Sequence, residues 1–99
     1  MKFELTKSGL GVIRINTDTY LSFGACSTDT IKYVNIRYPQ GGKLFPIEML
    51  KLPKHATKAI GVKNIKIIRE LVRERLVDGL LPTDKVMEIG EIINGEGQD

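Results

Sequence analysis

The chain has 99 residues, 41% of them hydrophobic and 27% charged, with a formal net charge of +3. A chain of this length supports one hydrophobic core and leaves little volume for a deep enclosed active site. The apolar content excludes disorder of the whole chain, the single cysteine (Cys26) excludes an internal disulfide framework, and no stretch approaches the roughly 18 to 20 apolar residues of a membrane span.

The first half of the chain reads as β-structure. Lys2–Thr6 alternates Phe3 and Leu5 with Glu4 and Thr6, the period of a half-buried strand. After a turn at Lys7-Ser8-Gly9, the strand Leu10–Asn16 places Ile13 and Ile15 inward, and Gly11 marks a candidate bulge. Tyr20–Cys26 puts Leu21, Phe23 and Ala25 on one face, and Ser27–Thr30 breaks the run. Ile31–Tyr38 is the clearest strand, with Val34, Ile36 and Tyr38 on one side and Tyr33, Asn35 and Arg37 on the other. Pro39-Gln40-Gly41-Gly42 is a turn, and Leu44–Met49 a fifth strand whose Pro46 lacks a ladder donor and so predicts an edge position or a bulge.

The character then changes. Lys54–Ile60 predicts a short helical turn ended by Gly61, and Asn64 is placed to cap a longer helix from Ile65 to Asp78. Ile65, Ile68, Val72 and Leu76 recur there at helical spacing, opposite Lys66, Arg69 and Arg73. Gly79 stands where a helix C-terminus favours glycine. Pro82–Asn94 fits either a helix with Val86, Ile89 and Ile93 inward or a sixth strand over Val86–Ile92, and the helix is preferred. Residues 95–99 are expected to form a flexible acidic tail after a single domain over 1–94.

The expected fold is therefore α+β. It has about five mainly antiparallel strands, as an open sheet or a partly open barrel, with one amphipathic helix packed on it and a short C-terminal helix or strand.

Residues that carry chemistry are sparse. His55 and Cys26 are the sole histidine and cysteine, which excludes a zinc site built on several such ligands, and their surroundings match no nucleophile motif. Gly9-Leu10-Gly11 and Gly41-Gly42-Lys43 lack the remaining residues of a dinucleotide or nucleoside-triphosphate loop. Glu88 and Glu91 would share a helical face, but isolated acidic pairs are ordinary surface charge. The expectation is no enzyme, no cofactor and no metal. With no disulfide pair, and with Glu4 and Lys7 interrupting the start of the chain, the expected compartment is the cytoplasm.

Charge is segregated. Residues 51–75 carry Lys51, Lys54, Lys58, Lys63, Lys66, Arg69, Arg73 and Arg75 against Glu70 and Glu74, a net +6, while residues 76–99 set Lys85 against six acids, a net −5. A basic stripe of this kind suits phosphate neutralisation, and the strand tyrosines Tyr20, Tyr33 and Tyr38 would add base stacking. The bland reading is a solvated helix face whose charge the acidic segment neutralises in the fold.

Ile68–Lys85, IRELVRERLVDGLLPTDK, resembles the first helix and following turn of GntR-type winged-helix DNA-binding domains. The resemblance covers about a fifth of the chain, and the recognition helix and wing it implies have no counterpart after it. No residue is carried over from it.

Two functional readings follow. The leading one is a non-catalytic binding protein that docks onto a macromolecular partner, a protein or a second copy of itself, through a sheet edge near Leu44, Phe45, Leu50 and Leu52. Base rates for small domains add an accessory or inhibitory factor of phage or mobile-element type, a step no residue carries. The alternative is nucleic-acid binding by Lys51, Lys54, Lys58, Lys63, Lys66, Arg69 and Arg73. No membrane association is expected.

Overall fold

The computed structural model describes residues 1–24 and 29–96. Seven strands are described: β1 (Lys2–Leu5), β2 (Gly11–Asn16), β3 (Thr19–Phe23), β4 (Thr30–Ile31), β5 (Tyr33–Tyr38), β6 (Gly41–Pro46) and β7 (Leu81–Pro82). Three helices accompany them: α1 (Lys54–Ile60), α2 (Val62–Arg73) and α3 (Lys85–Glu96). Five strands form one antiparallel sheet in the order β1-β2-β3-β5-β6, and β4 pairs with β7 in a separate ribbon. The sheet is open and does not close into a barrel.

Alternation of apolar residues sorts the sheet into two faces. Phe3, Ile13, Leu21 and Ile36 stand side by side across four strands, and Phe23, Val34 and Phe45 form the next row. All seven are buried and share one core with Ile60 of α1, Ile65, Ile68 and Val72 of α2, and Val86, Ile89 and Ile93 of α3. The helices therefore cover this face, α1 against β3 and β5 and α3 against β1 and β2.

Helix α3 sits close because two positions carry no side chain. A Cβ at Gly90 would overlap the Phe3 ring, and one at Gly11 would lie 2.7 Å from Val86 Cγ1. Gly11 thus marks close packing, and the register shift in β2 falls between Arg14 and Asn16 instead. The side chain of Asn94 completes the contact. Its Oδ1 accepts from the Phe3 amide at 2.8 Å, and its Nδ2 donates to the Phe3 carbonyl at 3.1 Å. These are backbone groups of an edge strand, so α3 occupies that edge as a neighbouring strand would.

Several expectations need correction. Pro46 does lie on an edge strand, but β6 starts at Gly41 and ends at Pro46, where the chain turns and Met49 donates to the Pro46 carbonyl. The long helix begins at Val62 after Gly61 (φ 94) and ends at Arg73, short of Asp78. Asn64 is not its N-cap: its side chain donates to Ile60 O and so caps the end of α1. Gly79 is not a helix terminator. With Asp78 (φ 54) it makes a two-residue turn at φ 79 that joins Val77 to Leu80 through two backbone hydrogen bonds. Paired positive φ values at Asp-Gly are the signature of a type I′ hairpin turn. That turn delivers Leu81, fully buried, to pair with Ile31. A helix continued to Asp78 would carry Leu81 past this site.

Pro82 belongs to β7, and the ambiguous segment resolves from Lys85 as the helix α3 and not as a sixth strand over Val86–Ile92. It runs to Glu96, so the first two residues of the expected tail are helical, while residues 97–99, like Cys26, lie outside the described residues.

The packing predicts opposite effects for two glycines on one helix. Gly90→Ala should destabilise the fold by about 1–3 kcal/mol by overpacking against Phe3. Gly95→Ala has nothing within 4 Å to meet and should be neutral or stabilise by about 0.5 kcal/mol through helix propensity. Urea unfolding midpoints of the two variants check this pair.

Candidate functional site

The surface beside α1 and α2 combines the two kinds of residue that drive docking, exposed apolar groups and unpaired charge. Leu50 and Val62 are 69% and 73% exposed. Between them runs a hollow of about 510 Å³, walled by Leu50, Val62, Ile65 and Leu76 and rimmed by Lys66, Arg73, Glu48 and Glu70. A second hollow, lined by Leu52, Lys54 and Lys58, shares Thr57 and Val62 with the first, so the two form one furrow.

Backbone geometry and one arginine build the wall. Met49 is buried and adopts φ 51, a left-handed conformation that costs a non-glycine residue about 1–2 kcal/mol. It persists because Arg69 reaches across from α2: its Nε donates to Met49 O at 2.7 Å, and its Nη2 donates to the same oxygen. The turn so held presents Leu50 to solvent while Ile47 and Met49 point into the core. Arg69 is therefore a structural clamp, half-buried, and not a free cation of the stripe.

The other stripe residues behave differently. Lys51, Lys54, Lys58, Lys63, Lys66 and Arg73 are exposed and enter no salt bridge among the described residues. Among the described residues, ion pairs to the acidic segment reach Arg75, and Lys85 within the segment itself. Arg75 Nε lies 3.3 Å from Glu88 Oε2, Lys85 Nζ lies 3.5 Å from the same oxygen, and Arg75 Nη1 donates to Leu71 O at the end of α2. Glu88 is thereby engaged, and His55 is exposed at the start of α1. No cluster of three or more His, Cys, Asp or Glu side chains stands ready for a metal among the described residues.

The expected edge residues do not form one patch. Phe45 is a core residue, 5% exposed, because strand alternation turns it inward. Leu44, its neighbour, points to the opposite, helix-free face. Leu50 and Leu52 belong to the furrow. Of the furrow residues, Val62 was not singled out by sequence pattern. The apolar residue directly after Gly61 was the available signal, obscured by the expected helix start at Ile65 behind an Asn64 cap.

No protein-family model, curated protein or solved structure matches the chain. Among the described residues no helix is long and apolar enough to cross a membrane.

Removing the clamp should loosen the furrow wall. Arg69→Ala leaves the Met49 carbonyl without its donors and should cost about 1–3 kcal/mol. It should also speed amide hydrogen exchange at Met49 and Leu50. Lys66→Ala, which breaks no bond, should stay within about 0.5 kcal/mol. Thermal unfolding with exchange mass spectrometry separates the two.

Proposed function

We propose that the protein is a non-catalytic binding protein that docks a partner protein in the furrow along α1 and α2. The observation that carries this reading is the joining of exposed apolar side chains to cations that enter no salt bridge among the described residues. Leu50 and Val62 are among the most exposed large hydrophobic residues described, and both line one concave surface. Large exposed apolar groups rimmed by polar residues are characteristic of interaction sites.

The rim selects the occupant. Lys54, Lys58, Lys66 and Arg73 border the furrow against Glu48 and Glu70, a surplus of positive charge. The complementary ligand is an acidic amphipathic segment, with apolar side chains between Leu50 and Val62 and carboxylates toward the rim. Helix-in-groove recognition uses this arrangement, with apolar anchors for affinity and peripheral charge for encounter rate. A phosphate backbone would use the cations but would gain nothing from the apolar floor, which favours a protein over nucleic acid at this surface.

A panel of labelled amphipathic peptides of about 15 residues, long enough for a helix to form on binding, tests the reading. Acidic members should bind with micromolar affinity, and basic or scrambled members should not. Leu50→Ser and Val62→Ser should each weaken binding by about tenfold, the loss expected for a central apolar anchor. Lys66→Ala and Arg73→Ala should chiefly slow association. Indifference of peptide binding to Leu50 and Val62 would discard the furrow as the docking site.

A further inference from the structure

The sheet has a second face, and no helix of the described residues packs on it. Register places Lys2, Arg14, Tyr20 and Arg37 side by side across β1, β2, β3 and β5. The next row is Glu4, Val12, Ser22, Asn35 and Leu44. Beyond it Tyr33 pairs with Pro46, and the Tyr33 ring is 54% exposed.

Three features of this face point to one ligand. First, its charge is positive: among the described residues of these rows, Lys2, Arg14 and Arg37 stand against the single carboxylate of Glu4. Glu4 accepts from Arg14 Nε at 2.9 Å and steadies the guanidinium over the Tyr20 ring, 5.3 Å from its centroid. Second, β5 turns three exposed side chains outward in succession, Tyr33, Asn35 and Arg37. Alternate residues along a strand lie about 6.6 Å apart, so an aromatic ring, an amide and a guanidinium follow one another along a track of about 13 Å. Third, Arg37 leans over a position without a side chain: a Cβ at Gly42 would lie 3.0 Å from Arg37 Cδ.

We infer that this face binds single-stranded nucleic acid. An open sheet with aromatic rings set among cations takes single strands because every base has a face to stack on and every nucleotide a phosphate to neutralise. Tyr33 stacks on a base, Asn35 offers both donor and acceptor to a base edge, and Arg37, Arg14 and Lys2 receive phosphates. A duplex hides its bases, so Tyr33 would have nothing to stack on. This surface is separate from the furrow on the helical side and does not depend on what the furrow binds.

Fluorescence anisotropy with labelled oligo(dT) and oligo(rU) of about twelve nucleotides, within the usual footprint of such surfaces, tests the inference. Micromolar binding is expected, weaker for a duplex of equal length. The salt slope should be about −2, as three phosphate contacts on a single strand give. Tyr33→Ala and Arg37→Ala change exposed side chains and should keep the fold, checked by circular dichroism and Tm. Each should weaken binding by about tenfold, the lower part of the range for loss of a stacked base. Lys66→Ala and Arg73→Ala, on the other side of the molecule, should leave it unchanged. The inference is overturned by no binding at low salt, by duplex binding as tight as single-strand binding, or by losses that follow Lys66 and Arg73 instead of Tyr33 and Arg37. Displacement of the oligonucleotide by an acidic peptide whose own binding requires Tyr33 would overturn it too, by assigning the face to a protein.

Discussion

The contact between α3 and β1 is the constraint on which the rest of the structure depends. Phe3 lies between two positions that lack side chains, Gly90 on the helix and Gly11 on the neighbouring strand, and its backbone is bonded in both directions by Asn94. This one residue joins the beginning of the chain to its final helix. It closes the β1 edge, which would otherwise offer free donors and acceptors to another strand. It also commits one face of the sheet to helices. Once α3 and α1 share that face, the side chains of opposite parity are left outside, and the molecule has two dissimilar surfaces.

Those surfaces differ in curvature and in chemistry. On the helical side, an arginine clamp and a left-handed residue hold a turn that lifts Leu50 away from the core, and a concave apolar strip results. On the sheet side, the outward rows carry the rings of Tyr20 and Tyr33 and the guanidinium groups of Arg14 and Arg37, with the small residues Val12 and Ser22, 5% and 7% exposed, in the row between. Concave apolar surface suits side chains of a folded or folding peptide, whereas shallow cationic and aromatic surface suits flat bases and phosphates. In the edge strand β6, as in every strand, the pleat sends the successive residues Leu44 and Phe45 to different sides.

Charge in this protein is segregated in sequence but only partly compensated in space. The acidic C-terminal segment reaches back to Arg75 through Glu88, which also pairs with Lys85 inside the segment, and leaves the cations of α1 and most of α2 without partners among the described residues. A surface ion pair contributes little to stability, so these cations are not needed to hold the fold together. Their effect lies in the field they create, which raises encounter rates with anionic partners and weakens with salt.

The sequence by itself determined the strands of the sheet and their faces. Alternation at Phe3, Ile13, Leu21, Val34 and Ile36 is a local property of period two, so a reading of neighbours suffices to sort inside from outside. It also determined the existence of the helices over 54–60 and in the sixties from residues within one turn of one another, while it left the segment after 82 open between helix and strand and Pro46 open between an edge and a bulge. The tertiary structure alone decided where those elements stop and what their surfaces do. The second helix ends at Arg73 because Leu81 must reach Ile31, a contact between residues fifty positions apart. Asn64 caps α1 and not α2 because Gly61 reverses the assignment of the two helix ends. Arg69 left the basic stripe to bind Met49 O, and Arg75 left it to meet Glu88, while the other cations of the stripe enter no salt bridge among the described residues. Side chains of one type differ in role here because burial and partner choice are set by long-range packing, and local periodicity carries no information about which distant carbonyl or carboxylate will stand opposite.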